Sequence, residues 1–306
     1  MTKFLLSVVG PTAIGKTALS IQLAKHFETE IISSDSRQFF KEMSIGTAVP
    51  SREELSQVKH HFIQHLSIQD PYSVGQFEKD AIARLDTIFR NHDVAVMVGG
   101  SGLYSNAVIH GLDDFPDVDS DIRTTLNKRI QDEGISVLQN ELKEKDPKAY
   151  DTIAIDNPQR LIRALEICIG TGRPYSSFLA KGKITRPFET ISVGLTAERS
   201  IIYERINQRV DIMMDSGLLE EAKRLYPHKD LNALNTVGYK ELFKYFDDEW
   251  ELDLAVSEIK KNTRRFAKRQ LTWYRKYDSI LWFDFETPLD QILDTLTKHI
   301  ETKKSS

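Results

Sequence analysis

The feature that most constrains the fold lies at residues 4–27, where an apolar run, FLLSVV, meets GPTAIGKT at 10–17 and then a helical pattern through Leu19, Leu23 and Phe27. A short β-branched run closed by Gly-Pro reads as a buried strand, and apolar residues four apart read as one face of a helix. The octet between them fits G-x-x-x-x-G-K-[ST], a phosphate-binding loop in the strand-to-helix setting such a loop requires. Gly10, Pro11, Thr12, Ala13, Ile14 and Gly15 form its turn. Glycines let the backbone wrap close to phosphate oxygens, while successive N–H groups and the helix N-terminus point at the anion. Lys16 adds a full charge, and Thr17 is placed to ligate Mg²⁺ through its hydroxyl. The loop alone leaves open which polyphosphate it holds.

Further short apolar runs at 30–33, 94–98, 191–195 and 280–283 alternate with helical patterns such as 77–90. That alternation predicts an α/β fold: a mostly parallel sheet with helices on both faces. From Asp113 to Pro187 the pattern changes, because charged helical segments succeed one another with no strand between them. The expected organisation is a core domain of residues 1–112 and 188–306, with an all-helical insertion at 113–187, bracketed by the turn signals DDFP and TRP.

A nucleotide hydrolase with this loop is expected to carry a metal-binding Asp at a strand end. Here the run 94–98 ends in Gly99-Gly100-Ser101-Gly102 and offers backbone only. The carboxylate is instead Asp35, at the carboxyl end of the second strand, where ligands bind in open α/β sheets. From the residues alone, Asp35 can orient magnesium, act as a general base, or simply close an Asx turn within Ser34-Asp35-Ser36.

Near the C-terminus, KKNTRRFAKRQLTWYRK at 260–276 carries eight Lys/Arg and no acidic residue, in a chain whose 41 basic and 45 acidic residues sum to −4. At about 100° per residue the cations occupy roughly half the wheel, and Ile259, Thr263, Phe266, Gln270, Trp273, Tyr274 and Tyr277 share a narrower opposite arc. One face packs and the other is a cationic stripe, which favours a nucleic-acid backbone, with Arg264, Arg265 and Lys268 as candidate contacts. The histidines 60, 61 and 65 lack a third ligand and read as structural. A single cysteine, Cys168, permits neither an internal disulfide nor a cysteine-based zinc site and suits a reducing, cytoplasmic setting. No apolar run approaches the ~18 residues of a membrane span, so no membrane partner is expected, and the chain reads as a monomer.

GPTAIGKT at 10–17, ISSDSRQ at 32–38, IGTAVP at 45–50, VGGSGLY at 98–104, NPQRLIRALEI at 157–167, RINQRV at 205–210 and NTRRFAKRQLTWYR at 262–275 together resemble the bacterial tRNA dimethylallyltransferase family. The likeness runs in order along nearly the whole chain. It implies a fold similar to P-loop kinases and a reaction that residue spacing could not disclose. A dimethylallyl group would pass from its diphosphate to N6 of the adenosine immediately 3′ of the anticodon in tRNA, with Mg²⁺ as cofactor. The resemblance makes Asp35 the general base, sets Lys16, Thr17 and Arg209 (Arg205 less so) against the leaving diphosphate, and implies that the adenine is flipped into a channel. It places Asp35, Ser36, Arg37, Gln38 and Gln159, Arg160, Leu161, Ile162, Arg163 at that channel. Ser101 and Arg123 would lie near the tRNA backbone, and the insertion would clamp the anticodon stem-loop. Two rivals use the same loop: a kinase holding ATP, and a prenyltransferase acting on free adenine nucleotides.

Overall fold

The computed structural model describes residues 2–179 and 184–305. They divide into two compact units: residues 2–110 with 185–305, and residues 111–184.

The first unit is built on six parallel strands: β1 (Phe4–Val9), β2 (Ile31–Ser33), β3 (His60–His61), β4 (Val94–Val98), β5 (Glu189–Thr196) and β6 (Ile280–Asp284). Their order across the sheet is β3-β2-β4-β1-β5-β6. In the centre, Phe4 pairs with Val94 on one side and Glu189 on the other. The chain therefore leaves β1, reaches outward to β2 and returns to β4 beside it, so the loops after β1, β2 and β4 share the carboxyl edge where ligands bind in such sheets.

Every residue of β1 is buried, the polar Ser7 included, which is why it reads as a nearly continuous apolar run rather than an alternating one. The pleat still sorts its side chains. Phe4, Leu6 and Val8 enter a core layer with Leu23, Ile202 and Leu296, whereas Leu5 joins Ile32, Met97, Phe77 and Leu85 in the other. Helix Lys16–His26 packs in the first layer and helix Val74–Phe89 in the second. The fold class expected from the sequence is the one observed. Among the elements not foreseen are β3 and the short helix Arg52–Gln57, closed by a Ser51/Glu54 capping box.

The second unit is helical, with α-helices Ser120–Glu133, Ile135–Lys145, Pro147–Thr152 and Pro158–Thr171. It has its own core of Leu126, Leu138, Leu142, Ala149, Leu161, Ile162, Leu165 and Cys168. The Cys168 thiol is buried and accepts the Tyr175 N–H; burial raises its pKa, which leaves it unreactive. Asn157 caps the last helix through the amides of Gln159 and Arg160, with Pro158 in its first turn. No helix among the described residues is long and apolar enough to cross a membrane.

Candidate active site

The loop after β1 carries three residues at positive φ: Gly10 at 139°, Ala13 at 65° and Gly15 at 110°. At Gly10 a Cβ would stand 2.6 Å from the Leu195 carbonyl oxygen, so glycine is required by both backbone angle and space. The strained Ala13 is held from outside. Its carbonyl accepts the Arg205 Nε–H at 2.8 Å, and the Arg205 guanidinium lies 5.2 Å from the centre of the Phe285 ring. Arg205 is thus a brace for the loop. Lys16 donates to the Pro11 carbonyl at 2.7 Å. Desolvation brings its pKa down to about 8, against the opposing pull of Asp35.

Asp35 follows β2. Its carboxylate accepts the Arg37 N–H at 3.1 Å, closing an Asx turn, and the nearby Gly100 amide favours its charged form. Burial pushes its pKa above the ordinary aspartate value, and those amides together with Lys16 and Arg37 oppose the rise. The turn and a proton-accepting role are compatible, because one carboxylate oxygen holds the turn while the carboxyl faces open space.

That space consists of two cavities. One, of about 880 Å³, is lined by the loop from Thr12 to Ala18, Ser33, Gly99 and Ile212. The other, of about 430 Å³, is lined by Ser36, Ser101, Val237, Phe266 and Arg269. Thr12, Asp35, Thr47, Ala48, Arg209 and Met213 line both, so these six residues form the neck between them. Arg209 comes from helix Arg199–Asp215 and has no hydrogen-bond or ion-pair partner among the described residues. Burial and its neighbour Arg205 depress its pKa, yet an arginine stays charged. An unpaired, largely enclosed guanidinium opposite a phosphate loop is a ready anion clamp.

A divalent ion would fit the first cavity sparingly. Thr17 lies in the first turn of the helix after the loop, and no group of three His, Cys, Asp or Glu side chains able to hold a metal occurs among the described residues. One hydroxyl completed by substrate phosphate oxygens and water is the donor set Mg²⁺ accepts.

The other expected site residues fall into two groups. Ser36 and Ser101 meet, with their hydroxyls 3.1 Å apart at the edge of the second cavity. Arg37 and Gln38 instead turn inward. The Arg37 guanidinium donates to the carbonyls of Asn232, Ala233 and Asn235, and Gln38 donates to those of Thr47 and Ala48. Both shape cavity walls rather than project from them.

In the helical unit the expectation needs correcting. Leu161 and Ile162 are 0% and 2% exposed and belong to that unit's core, so their side chains cannot reach a nucleotide. Arg123 forms a two-pronged ion pair with the buried Glu166, at 3.0 and 2.7 Å, and Arg163 donates to the same carboxylate. Gln159 and Arg160 are exposed at the helix start.

The basic helix is longer than expected, Leu252–Tyr274. Lys260 pairs with Asp211, Lys261 with Glu258, and Arg264 donates to Asn207 at 2.6 Å. Arg264 is therefore a poor candidate for an external contact, while Arg265, Lys268, Arg269, Arg275 and Lys276 are exposed. Phe266, expected to pack, is 37% exposed in the wall of the second cavity, and Ala267 is buried in its place. His60 and His61 form a short strand, and His61 pairs with Glu30 at 2.5 Å.

Two residues escaped the sequence reading. Gln270 is buried and bonds to both the phosphate loop and the loop after β4. The buried Glu221 carboxylate accepts the amides of Ser44, Ile45 and Gly46 and the Tyr239 hydroxyl, and so anchors the segment that leads to Thr47 and Ala48. Nothing local marks Glu221; Gln270 lay inside a motif already singled out.

Comparison with known proteins gives one answer. The chain is 60% identical over 302 residues to the tRNA dimethylallyltransferase of Christiangramia forsetii, covering 99% of this chain and 100% of that one. It is 55% identical to the Flavobacterium psychrophilum protein of the same name, over 96% and 97% of the two chains. Among solved structures, the tRNA isopentenylpyrophosphate transferase of Bacillus halodurans matches with a TM-score of 0.72 at 38% identity, over 99% of this chain and 97% of that one. A eukaryotic dimethylallyltransferase described as acting on tRNA matches with a TM-score of 0.83 at 25% identity, over 99% of this chain and 80% of that one. The IPP transferase family pattern spans residues 38–277, and with relatives this similar over the full chain, the protein belongs to the IPP transferase family.

Proposed function

We propose that the protein transfers a dimethylallyl group from dimethylallyl diphosphate to N6 of an adenosine in tRNA, the one immediately 3′ of the anticodon, in the cytoplasm. The observation that carries this reading is the neck: two cavities of different character that meet at Asp35, Thr12 and Arg209. A phosphotransferase needs acceptor and donor on one phosphate, whereas an allyl transfer needs a diphosphate on one side and a flipped base on the other. The larger cavity suits the diphosphate, and Ile212 and Met213 offer apolar wall to the five-carbon group.

The N6 nitrogen attacks the allylic carbon as the carbon–oxygen bond to diphosphate breaks. The exocyclic amine then loses one proton, and Asp35 is the acceptor in the neck. Its raised pKa makes it a stronger base than a solvated aspartate, provided the pH keeps it ionised. Negative charge grows on the departing diphosphate, where the loop amides, Lys16 and Arg209 meet it. Thr17 would hold Mg²⁺ against that diphosphate, and the ion would supply further charge neutralisation. Arg265 and Lys268 on the outer face of the basic helix suit the RNA backbone. So do the exposed Gln159 and Arg160 of the 111–184 unit, the tRNA-contacting insertion in this reading.

The test is an incubation of purified protein with Mg²⁺, dimethylallyl diphosphate and unmodified tRNA, followed by nucleoside mass analysis, with ATP as a parallel donor and AMP as a parallel acceptor. A prenylated adenosine confined to tRNA is expected. Asp35→Ala should lower turnover by about 10²–10⁴-fold while leaving tRNA affinity within twofold. Phosphoryl transfer from ATP, or prenylated AMP without tRNA product, would overturn the reading.

A further inference from the structure

Two separate segments converge on one side chain that no part of the mechanism above uses. Gln270 is 5% exposed on the inward face of helix Leu252–Tyr274. Its Oε1 accepts the Thr12 N–H at 2.9 Å, and its Nε2 donates to the Gly100 carbonyl at 2.9 Å. Thr12 belongs to the phosphate loop and Gly100 to the turn after β4, and the two are joined by no hydrogen bond of their own among the described residues. Gly100 in turn lies beside the Asp35 carboxylate, where its amide favours the charged form.

The spacing is tight. A Cβ on Gly100 would lie 3.7 Å from Asp35 Oδ2 and would overlap the Gln270 amide, so glycine at this position lets the backbone pass between the two polar groups. A buried amide that satisfies its acceptor on one segment and its donor on another fixes the separation of those segments, because shifting either leaves a buried polar group unpaired.

We infer that Gln270 is a positioning residue that sets the diphosphate loop at a fixed distance from the proton acceptor Asp35, and that it ties both to the helix presenting the cationic stripe. Its immediate neighbour Arg269 is exposed and lines the second cavity, and Lys268 faces outward. A polyanion seated on that outer face therefore bears on the same rigid element that holds Thr12 and Gly100. The inference rests on the prenyl-transfer reading for its consequence in turnover, but not for its consequence at Asp35 itself.

The charged and titratable groups that act on the Asp35 carboxyl are Lys16, Arg37 and Tyr274, and none is altered in the test. Gln270→Glu keeps the shape, retains an acceptor for Thr12 and sets a carboxylate against the Gly100 carbonyl; Gln270→Leu removes both bonds. Both should lower kcat by about 10²-fold, the effect expected of a misplacement near 1 Å in a reacting pair, with tRNA Kd and donor KM changed less than threefold. The acid limb of the kcat–pH profile should move to higher pH, because Asp35 loses the support of the Gly100 amide and, in Gln270→Glu, gains a like charge nearby.

The Asp35 carboxyl titration, followed by ¹³C NMR in the free protein, should move in the same direction. This second readout stands even if the wild type proves inactive on tRNA, in which case the functional reading fails and the positioning inference is still decided. Gly100→Ala, which crowds Gln270 from the other side, should reproduce the pattern. An unchanged Asp35 titration in folded Gln270→Glu, or a loss of turnover matched by the loss of tRNA affinity, would overturn the inference.

Discussion

Neutralising three exposed cations on helix Leu252–Tyr274 and the turn after it tests whether the stripe meets RNA. Of the eight basic residues at 260–276, four are engaged within the protein: Lys260 with Asp211, Lys261 with Glu258, Arg264 with Asn207 and, at an exposed position, Arg265 with Asn262 at 3.2 Å. Arg269 lines the second cavity, so it is left intact. Arg265, Lys268 and Lys276 share a groove with Thr272 and Trp273, and Lys276 stands 5.9 Å from the centre of the Trp273 ring. If each meets one phosphate, the Arg265→Gln/Lys268→Gln/Lys276→Gln protein loses about 0.7–0.9 units of salt slope per contact, or about 2–3 in all. Between about 50 and 200 mM salt that difference amounts to roughly 20–40-fold in tRNA affinity, since each unit of slope is worth about fourfold over that range. The assay is filter binding of unmodified tRNA across a salt series. Arg264→Gln is the internal control, because its guanidinium is already spent on Asn207 and beside the Tyr203 ring; its slope should match the wild type. A triple variant with the wild-type slope, or an Arg264 variant with a comparable loss, would refute the assignment of this face.

Two further outcomes follow from the geometry. Lys16 has a pKa lowered from 10.5 to about 8, so it is charged below that pH and loses its charge as pH rises through it. Because a bound anion favours the charged form, wild-type affinity for inorganic diphosphate, measured by calorimetry in chelator, should fall about tenfold between about pH 7 and 9. Lys16→Arg should stay flat; a flat wild type would mean that Lys16 does not hold the anion. In the helical unit, Leu161→Ala should cost about 2–5 kcal/mol of stability in urea unfolding, because Leu161 is fully buried. A cost near zero would return Leu161 to the surface and to the role first expected of it.

How much of the fold the sequence disclosed depends on where each strand lies. The runs that form β1 and β4 match their observed limits, since both are central, buried strands and therefore nearly all apolar. The edge strand β3 is two histidines paired only with Ile31 and Ile32, too short and too polar to carry any periodicity. The helical unit begins at Gly111 and ends at Ile184 rather than at 113 and 187. Its entry turn is set by Gly111 at φ 80°, two residues before the acidic and proline-bearing stretch that drew attention.

The site divides along a different line. The placing of the glycine-rich loop and of Asp35 at the carboxyl edge was legible because its signals are local: a glycine-bounded turn between strand and helix, a lysine at a fixed offset, an acid at a strand end. For Arg123 and Arg163 the sequence reports a charge and not the buried partner, Glu166, that pairs with both. Phe266 exposes a limit of helical periodicity itself. The wheel places it on the inward arc with Ile259 and Gln270, and that arc is correct, since Ile259 and Gln270 are buried. Yet inward for this helix means both toward packed core and toward a cavity wall, and an apolar side chain suits either. Periodicity separates solvent from interior; it cannot separate a filled interior from one kept open for a substrate. An aromatic that obeys the pattern yet remains exposed is therefore a sign that the helix roofs a cavity, and at Phe266 that cavity is the one beside Asp35.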